Sequence, residues 1–148
     1  MEKPNILISV VVCTYNRDRL LPFCLEGMKN QKFLPTSWEL VVVDNNCTDK
    51  TAQICKSFIE NNPQLQIQYY IESQQGLSNA RNRGIQLAKG KYIAFIDDDA
   101  VACPNYLSEI EFFFKNHPDC SLVGGRIYPR FESMKPSWVS SYLMPLFS

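Results

Sequence analysis

The sequence has a single histidine, no C-x-x-C pair, no excess charge of either sign and no long apolar run. Each shortage closes a class of function. His117 precedes Pro118 at the end of an apolar-periodic stretch, where a solvated cation near a helix C-terminus is a sufficient role. A Ser-His or Cys-His catalytic pair therefore has little to build on. Lys plus Arg and Asp plus Glu number 15 each, so no general field draws the chain to nucleic acid or anionic lipid. Any anion has to be bound locally. No segment approaches the roughly 20 apolar residues of a membrane span. The run from Ile6 to Cys13, after Met1 to Asn5, is too short and lacks the small-residue cleavage pattern of a secretory signal. Neither G-x-G-x-x-G nor a P-loop follows the first apolar run, which removes support for a dinucleotide-binding fold and for an NTPase. No repeat or low-complexity segment is present. The six cysteines (Cys13, Cys24, Cys47, Cys55, Cys103, Cys120) are dispersed and mostly lie in apolar stretches. They read as small, reduced core residues of a cytoplasmic protein, with no Cys/His set for a soft metal.

What remains is a chain of 148 residues, 45% hydrophobic and 20% charged, enough for one domain with a real core. Ile6 to Cys13 is β-branched and apolar on both faces, as a strand covered on both sides must be. It ends in the polar loop Thr14 to Asp18. Asp18 is placed to cap a helix through about Gln31, with Leu20, Cys24 and Met28 on its apolar stripe and Pro22 tolerated in the first turn. Trp38 to Val43 repeats the pattern and ends at Asp44 to Asp49. Thr48 or Asp49 caps a second helix through about Asn61, and Pro63 stops it.

Gln66 to Ile71 is a third strand, and Gly76-Leu77-Ser78 opens a helix that closes at Lys89-Gly90. Tyr92 to Ile96 is the fourth strand. Pro104 starts a helix reaching His117, and Ser121 to Tyr128 reads as a fifth strand or hairpin arm weakened by paired glycines. Strand-then-helix alternation predicts an α/β fold: a Rossmann-like, mostly parallel sheet with right-handed crossovers and helices on both faces.

In such sheets ligands bind beyond the carboxyl ends of the strands. Thr14 to Asp18, Asp44 to Asp49 and Asp97 to Asp99 each follow a strand directly, so the topology gathers them on one rim. In the triplet, extended geometry places Asp97 and Asp99 on one side and Asp98 on the other. Adjacent carboxylates repel unless solvent, donors or a cation relieves them. A solvated capping loop would also account for the triplet taken alone. With Thr14, Asn16 and Asn45 as polar groups and Arg17 and Arg81 as cations, the rim suits a nucleotide diphosphate with a hard cation, Mg2+ or Mn2+. Arg81, near a helix start, is placed to meet a phosphate. Asp44 is placed either to accept from a base or ribose or to bond its own turn.

Four stretches, Ile8 to Arg17, Val41 to Asp49, Gly76 to Gly84 and Phe95 to Asp99, occur in an order and spacing that resemble family 2 inverting glycosyltransferases of the GT-A fold. The resemblance covers roughly Ile6 to Tyr128. It implies a nucleotide-sugar-binding portion over residues 1–130 and the start of an acceptor-side region over 131–148. By the same resemblance, Thr14, Tyr15, Asn16 and Arg17 belong to the nucleotide pocket with Asn45, and Asp44 partners the base. Arg81 would hold the nucleotide, Asp98 would lie near the ribose, and Asp97 and Asp99 would end a D-x-D motif with Asp99 the direct metal ligand. Asn45 stands where the family often has a second aspartate, and Ala100 where another acid is frequent.

The implied reaction is metal-dependent inverting transfer from a nucleotide-diphosphate sugar, a UDP-sugar first, to the hydroxyl of a saccharide or lipid-linked acceptor. The general base is expected in a C-terminal half beyond the chain. A non-catalytic nucleotide-sugar binding module therefore stays open as the alternative. A phosphotransferase with an aspartate nucleophile is disfavoured, because the Ser/Thr and Lys segments it needs do not follow the triplet. The aromatic tail Trp138 to Phe147 is expected at an interface, as an oligomer contact or as peripheral attachment to the inner face of a membrane.

Overall fold

Strands that are apolar on both faces need cover on both faces. The computed structural model, which describes residues 6–131, 134–136 and 138–139, shows how this chain supplies it. The elements run β1 (Ile8–Thr14), α1 (Leu21–Lys29), β2 (Trp38–Asp44), α2 (Thr51–Asn61), β3 (Ile67–Ile71), α3 (Leu77–Leu87), β4 (Tyr92–Asp97) and α4 (Tyr106–Asn116), with a 3-10 turn at Pro35–Ser37. The strands pair in parallel in the order β3-β2-β1-β4.

Alternate residues of the central strands face opposite sides. Val10, Val12, Leu40 and Val42 pack with Leu21, Cys24, Leu25 and Met28 of α1, Cys55 of α2 and Leu107 of α4. Val11, Val41 and Val43 pack on the other side against Ala80 of α3, with Leu87 beside them. Ala80, Gly84 and Leu87 recur at helical spacing, which gives α3 its inward stripe. Gly84 lets the helix sit close: a Cβ there would lie 2.3 Å from Val11 Cγ1.

At the N-terminal edge of the sheet a buried polar clamp ties β1, β2 and β3 to the α3–β4 connection. Glu39, fully buried, accepts hydrogen bonds from Ser9 Oγ at 2.6 Å, Gln68 Nε2 at 2.6 Å and the Lys89 N–H at 2.7 Å. Ser9 Oγ also accepts from the N–H groups of Lys89 and Gly90, at 3.1 and 2.8 Å. Gly90 is required by close approach, since its Cβ would stand 2.5 Å from the Ser9 nitrogen. The α3–β4 connection is thus pinned to β1.

Helix starts depart from the sequence expectation. Asp18 does not cap α1: the helix enters through a turn in which the N–H groups of Leu20 and Leu21 donate to Arg17 O, and the Asp18 N–H donates to Asp49 Oδ2. Asp49 lies one residue ahead of the cap position of α2, where its Oδ1 accepts the Thr51 N–H at 3.0 Å. Cover for the first turn of α4 comes from the connection after α1: Gln31 Oε1 accepts the Leu107 N–H, while Gln31 Nε2 donates to Gly27 O and Cys103 O.

The chain divides into two compact units, residues 1–113 and 114–148. In the second unit, Ser121 to Tyr128 is not a strand. A strand without a paired neighbour loses its ladder bonds; two adjacent glycines weaken it further, and Leu122 and Tyr128 are exposed. Of the aromatic tail, Trp138 and Val139 are described and 140–147 lie outside the described residues. Cys24 and Cys55 are core residues as expected, but Cys103 and Cys120 are exposed because both fall in non-helical connections. Among the described residues no helix is long and apolar enough to cross a membrane.

Two substitutions test these contacts by urea unfolding. Glu39→Ala strands the Ser9, Gln68 and Lys89 donors and is expected to destabilise by about 3 kcal/mol. Gly84→Ala is expected to cost about 1–3 kcal/mol by forcing α3 off Val11. Stabilities within 0.5 kcal/mol of wild type would show that neither contact matters to the fold.

Candidate functional site

Parallel pairing aligns the strand ends, setting Thr14 opposite Asp44 and Cys13 opposite Asp97. Beyond those ends lies an open cleft of about 550 Å³ whose lining includes Thr14, Tyr15, Arg17, Asn45, Arg81 and Asp97 through Asp99. Cys13, Gln75, Gly76 and Leu77 also line it. Of the residues expected at the site, Asn16 and Asp44 are not in that lining.

The acidic triplet forms a turn in which the Ala100 N–H donates to Asp97 O at 3.0 Å. Asp97 and Asp99 are exposed and Asp98 is buried, so alternation persists although β4 ends at Asp97. Asp98 faces the end of β1. Burial pushes its carboxyl above the ordinary value, against the opposing pull of the Thr14 hydroxyl, Arg17 and the Tyr15 N–H. The Thr14 hydroxyl, itself buried, closes no hydrogen bond of good geometry. Arg81 Nη2 lies 3.4 Å from Asp97 Oδ1, and its guanidinium sits 5.7 Å from the Phe95 ring centroid. Both partners of that pair are exposed, so it orients more than it stabilises.

Behind the cleft the two polar loops are stitched to each other. Asn16, at φ 51, accepts the Thr48 N–H on Oδ1 at 2.8 Å. Cys47 Sγ accepts the Asn16 N–H and donates to Thr14 O. Asp44 is buried, with Oδ1 accepting the Cys47 N–H at 2.7 Å and Oδ2 accepting the Tyr69 hydroxyl. Asn45 spends its amide on Glu72 O and Gln74 O, and its Oδ1 on the Gly76 N–H. Sequence reasoning missed Tyr69 and Gln75 to Leu77. Tyr69 is marked only by its register beside Val42, and Gly76 by a φ of 132° that glycine alone adopts readily.

The model of the family described as Glycosyl transferase family 2 matches residues 9–147. The glycosyltransferase GlyG of Streptococcus pneumoniae is 32% identical over 127 residues, covering 86% of this chain and 41% of the relative. Among solved structures, S. aureus TarS 1–349 in complex with UDP-GlcNAc has a TM-score of 0.70 at 29% identity, covering 76% of this chain and 32% of that one. The mannosyltransferase PcManGT of Pyrobaculum calidifontis, in complex with GDP-Man and Mn2+, has a TM-score of 0.69 at 27% identity, covering 72% and 32%. The chain thus spans less than half the length of these relatives, and its α/β fold is of the GT-A type they share.

Thiols in and beneath the cleft are held protonated. Burial pushes Cys13 and Cys47 up to about 11, and Cys24 and Cys55 up to about 12. A thiol whose folded pKa exceeds its unfolded value near 9.0 favours the fold below pH 9 and loses that contribution as pH rises through the folded value. Unfolding free energy is therefore expected to fall between pH 9 and about 12, and a flat profile there would refute the burial. Arg81→Ala is expected to leave stability within about 0.5 kcal/mol of wild type in the same assay.

Proposed function

The chain belongs to glycosyl transferase family 2, and from that membership we propose that it forms the donor-binding portion of an enzyme moving a sugar from a nucleotide-diphosphate sugar to an acceptor hydroxyl with inversion. One observation carries the reading: a single cleft brings together an exposed aromatic ring, two cations and two exposed carboxylates from three separate stretches of sequence. Tyr15 offers a ring face to the base, Arg17 and Arg81 offer charge to the phosphates, and Asp97 and Asp99 offer hard oxygens to a divalent cation.

The donor set fits Mg2+ or Mn2+. Among the described residues no group of three His, Cys, Asp or Glu makes a complete protein cage. A cation held by Asp97 and Asp99 would take its remaining oxygens from the substrate diphosphate, as these metals commonly do. When bound, it supplies neutralisation of the charge that builds on the departing diphosphate. The chain's own residues orient the donor. Arg81 and Asp97 already share a contact, so the cation-binding turn and the phosphate-binding helix are set relative to each other. UDP and GDP donors both remain within this reading, since TarS holds UDP-GlcNAc and PcManGT holds GDP-Man. Six free thiols support a reducing, cytoplasmic setting. Residues 131–148 are read as the start of the acceptor side.

Calorimetric titration of UDP and GDP into the chain, with and without Mn2+, tests the proposal. Binding is expected to tighten by at least about tenfold with the metal, and Asp99→Ala is expected to remove that increment. Affinity indifferent to Mn2+ in the wild type would sink the assignment of Asp97 and Asp99.

A further inference from the structure

Asn45 lines the cleft, yet its polar groups are turned to the protein. Its N–H donates to Thr14 O at 2.9 Å, and Nδ2 donates to Glu72 O at 3.1 Å and Gln74 O at 2.8 Å. Oδ1 accepts the Gly76 N–H at 2.7 Å, and the residue is 3% exposed. Both amide protons, the carbonyl oxygen and the backbone donor are thus engaged at one buried point. The three side-chain bonds converge on the segment that ends at Gly76, the residue before α3, whose φ of 132° is available to glycine at little cost. Gly76 and Leu77 line the cleft, and Arg81 follows one turn into the helix.

We propose that Asn45 is a positioning residue: it fixes the Glu72–Gly76 segment and through it the N-terminus of α3 that presents Arg81 to the donor. The inference rests on the donor-binding reading of the cleft. It replaces a ligand contact by Asn45 with a mechanical one. In this chain, where the Glu72 and Gln74 carbonyls both point at the side chain, asparagine matches the site because it brings two donors and one acceptor on one short side chain; the aspartate that the family often carries there would need those carbonyls turned elsewhere. An aspartate keeps the acceptor for Gly76 and sets a second acceptor against two carbonyl oxygens. No ordinary pairing relieves that clash of like dipoles.

The test uses Asn45→Asp, Gly76→Ala and the double variant, with UDP and GDP as probes in the presence of Mn2+, and amide exchange over residues 72–77. Gly76→Ala disturbs the same hinge without touching Asn45. Expected results are release of the Gly76 amide in Asn45→Asp and a loss of about tenfold or more in affinity, equal for both nucleotides. The double variant is expected to lose little beyond either single change, as coupled residues do. Loss confined to one nucleotide would reveal a direct base contact and overturn the proposal, as would additive losses. An unchanged Gly76 amide in Asn45→Asp would overturn it as well. If the wild type binds neither nucleotide the donor reading fails, and amide exchange alone then decides whether Asn45 holds the segment.

Discussion

Parallel register is the constraint on which everything else depends. β1 pairs with β2 on one side and β4 on the other, which fixes Thr14 against Asp44 and Cys13 against Asp97. A slip of one residue would exchange Val10, Val12, Leu40 and Val42 with their neighbours and turn each helix's apolar stripe against the wrong face. It would also separate the polar loops that now share a rim. Burial on both faces therefore selects the register, and the register assembles the cleft.

Much of this was legible in the chain because buried parallel strands announce themselves. Runs such as Val10 to Cys13 and Val41 to Val43 leave few other readings, and the polar residues that stop them mark the rim. The helix starts were less legible. Asp18 looks like a cap, but its backbone is drawn to Asp49 across the loops, and the first turn of α4 is completed by Gln31 from far upstream. Local capping rules cannot anticipate a partner that only tertiary packing delivers. Ser121 to Tyr128 failed for a related reason: its composition suits a strand, but a strand also requires a neighbour.

The rim residues divide into two groups that composition alone does not separate. Tyr15, Arg17, Asp97 and Asp99 are exposed toward the cleft, whereas Asn16 and Asn45 make loop-to-loop hydrogen bonds and Asp44 bonds its own turn and the Tyr69 hydroxyl of β3. Asn, Asp and Cys at strand ends look alike in sequence whether they face a ligand or a neighbouring backbone. The left-handed backbone of Asn16 and Asn46 is a clue to the architectural role, since short polar side chains tolerate it best.

One consequence concerns α3. Asn45 holds the residue before its first turn, and Ser9 and Glu39 hold the residues beyond its last. A helix tethered at both ends has little freedom to slide or pivot. Arg81 is therefore carried on a held scaffold, and a donor bound as proposed would forfeit little conformational entropy in ordering the helix beneath.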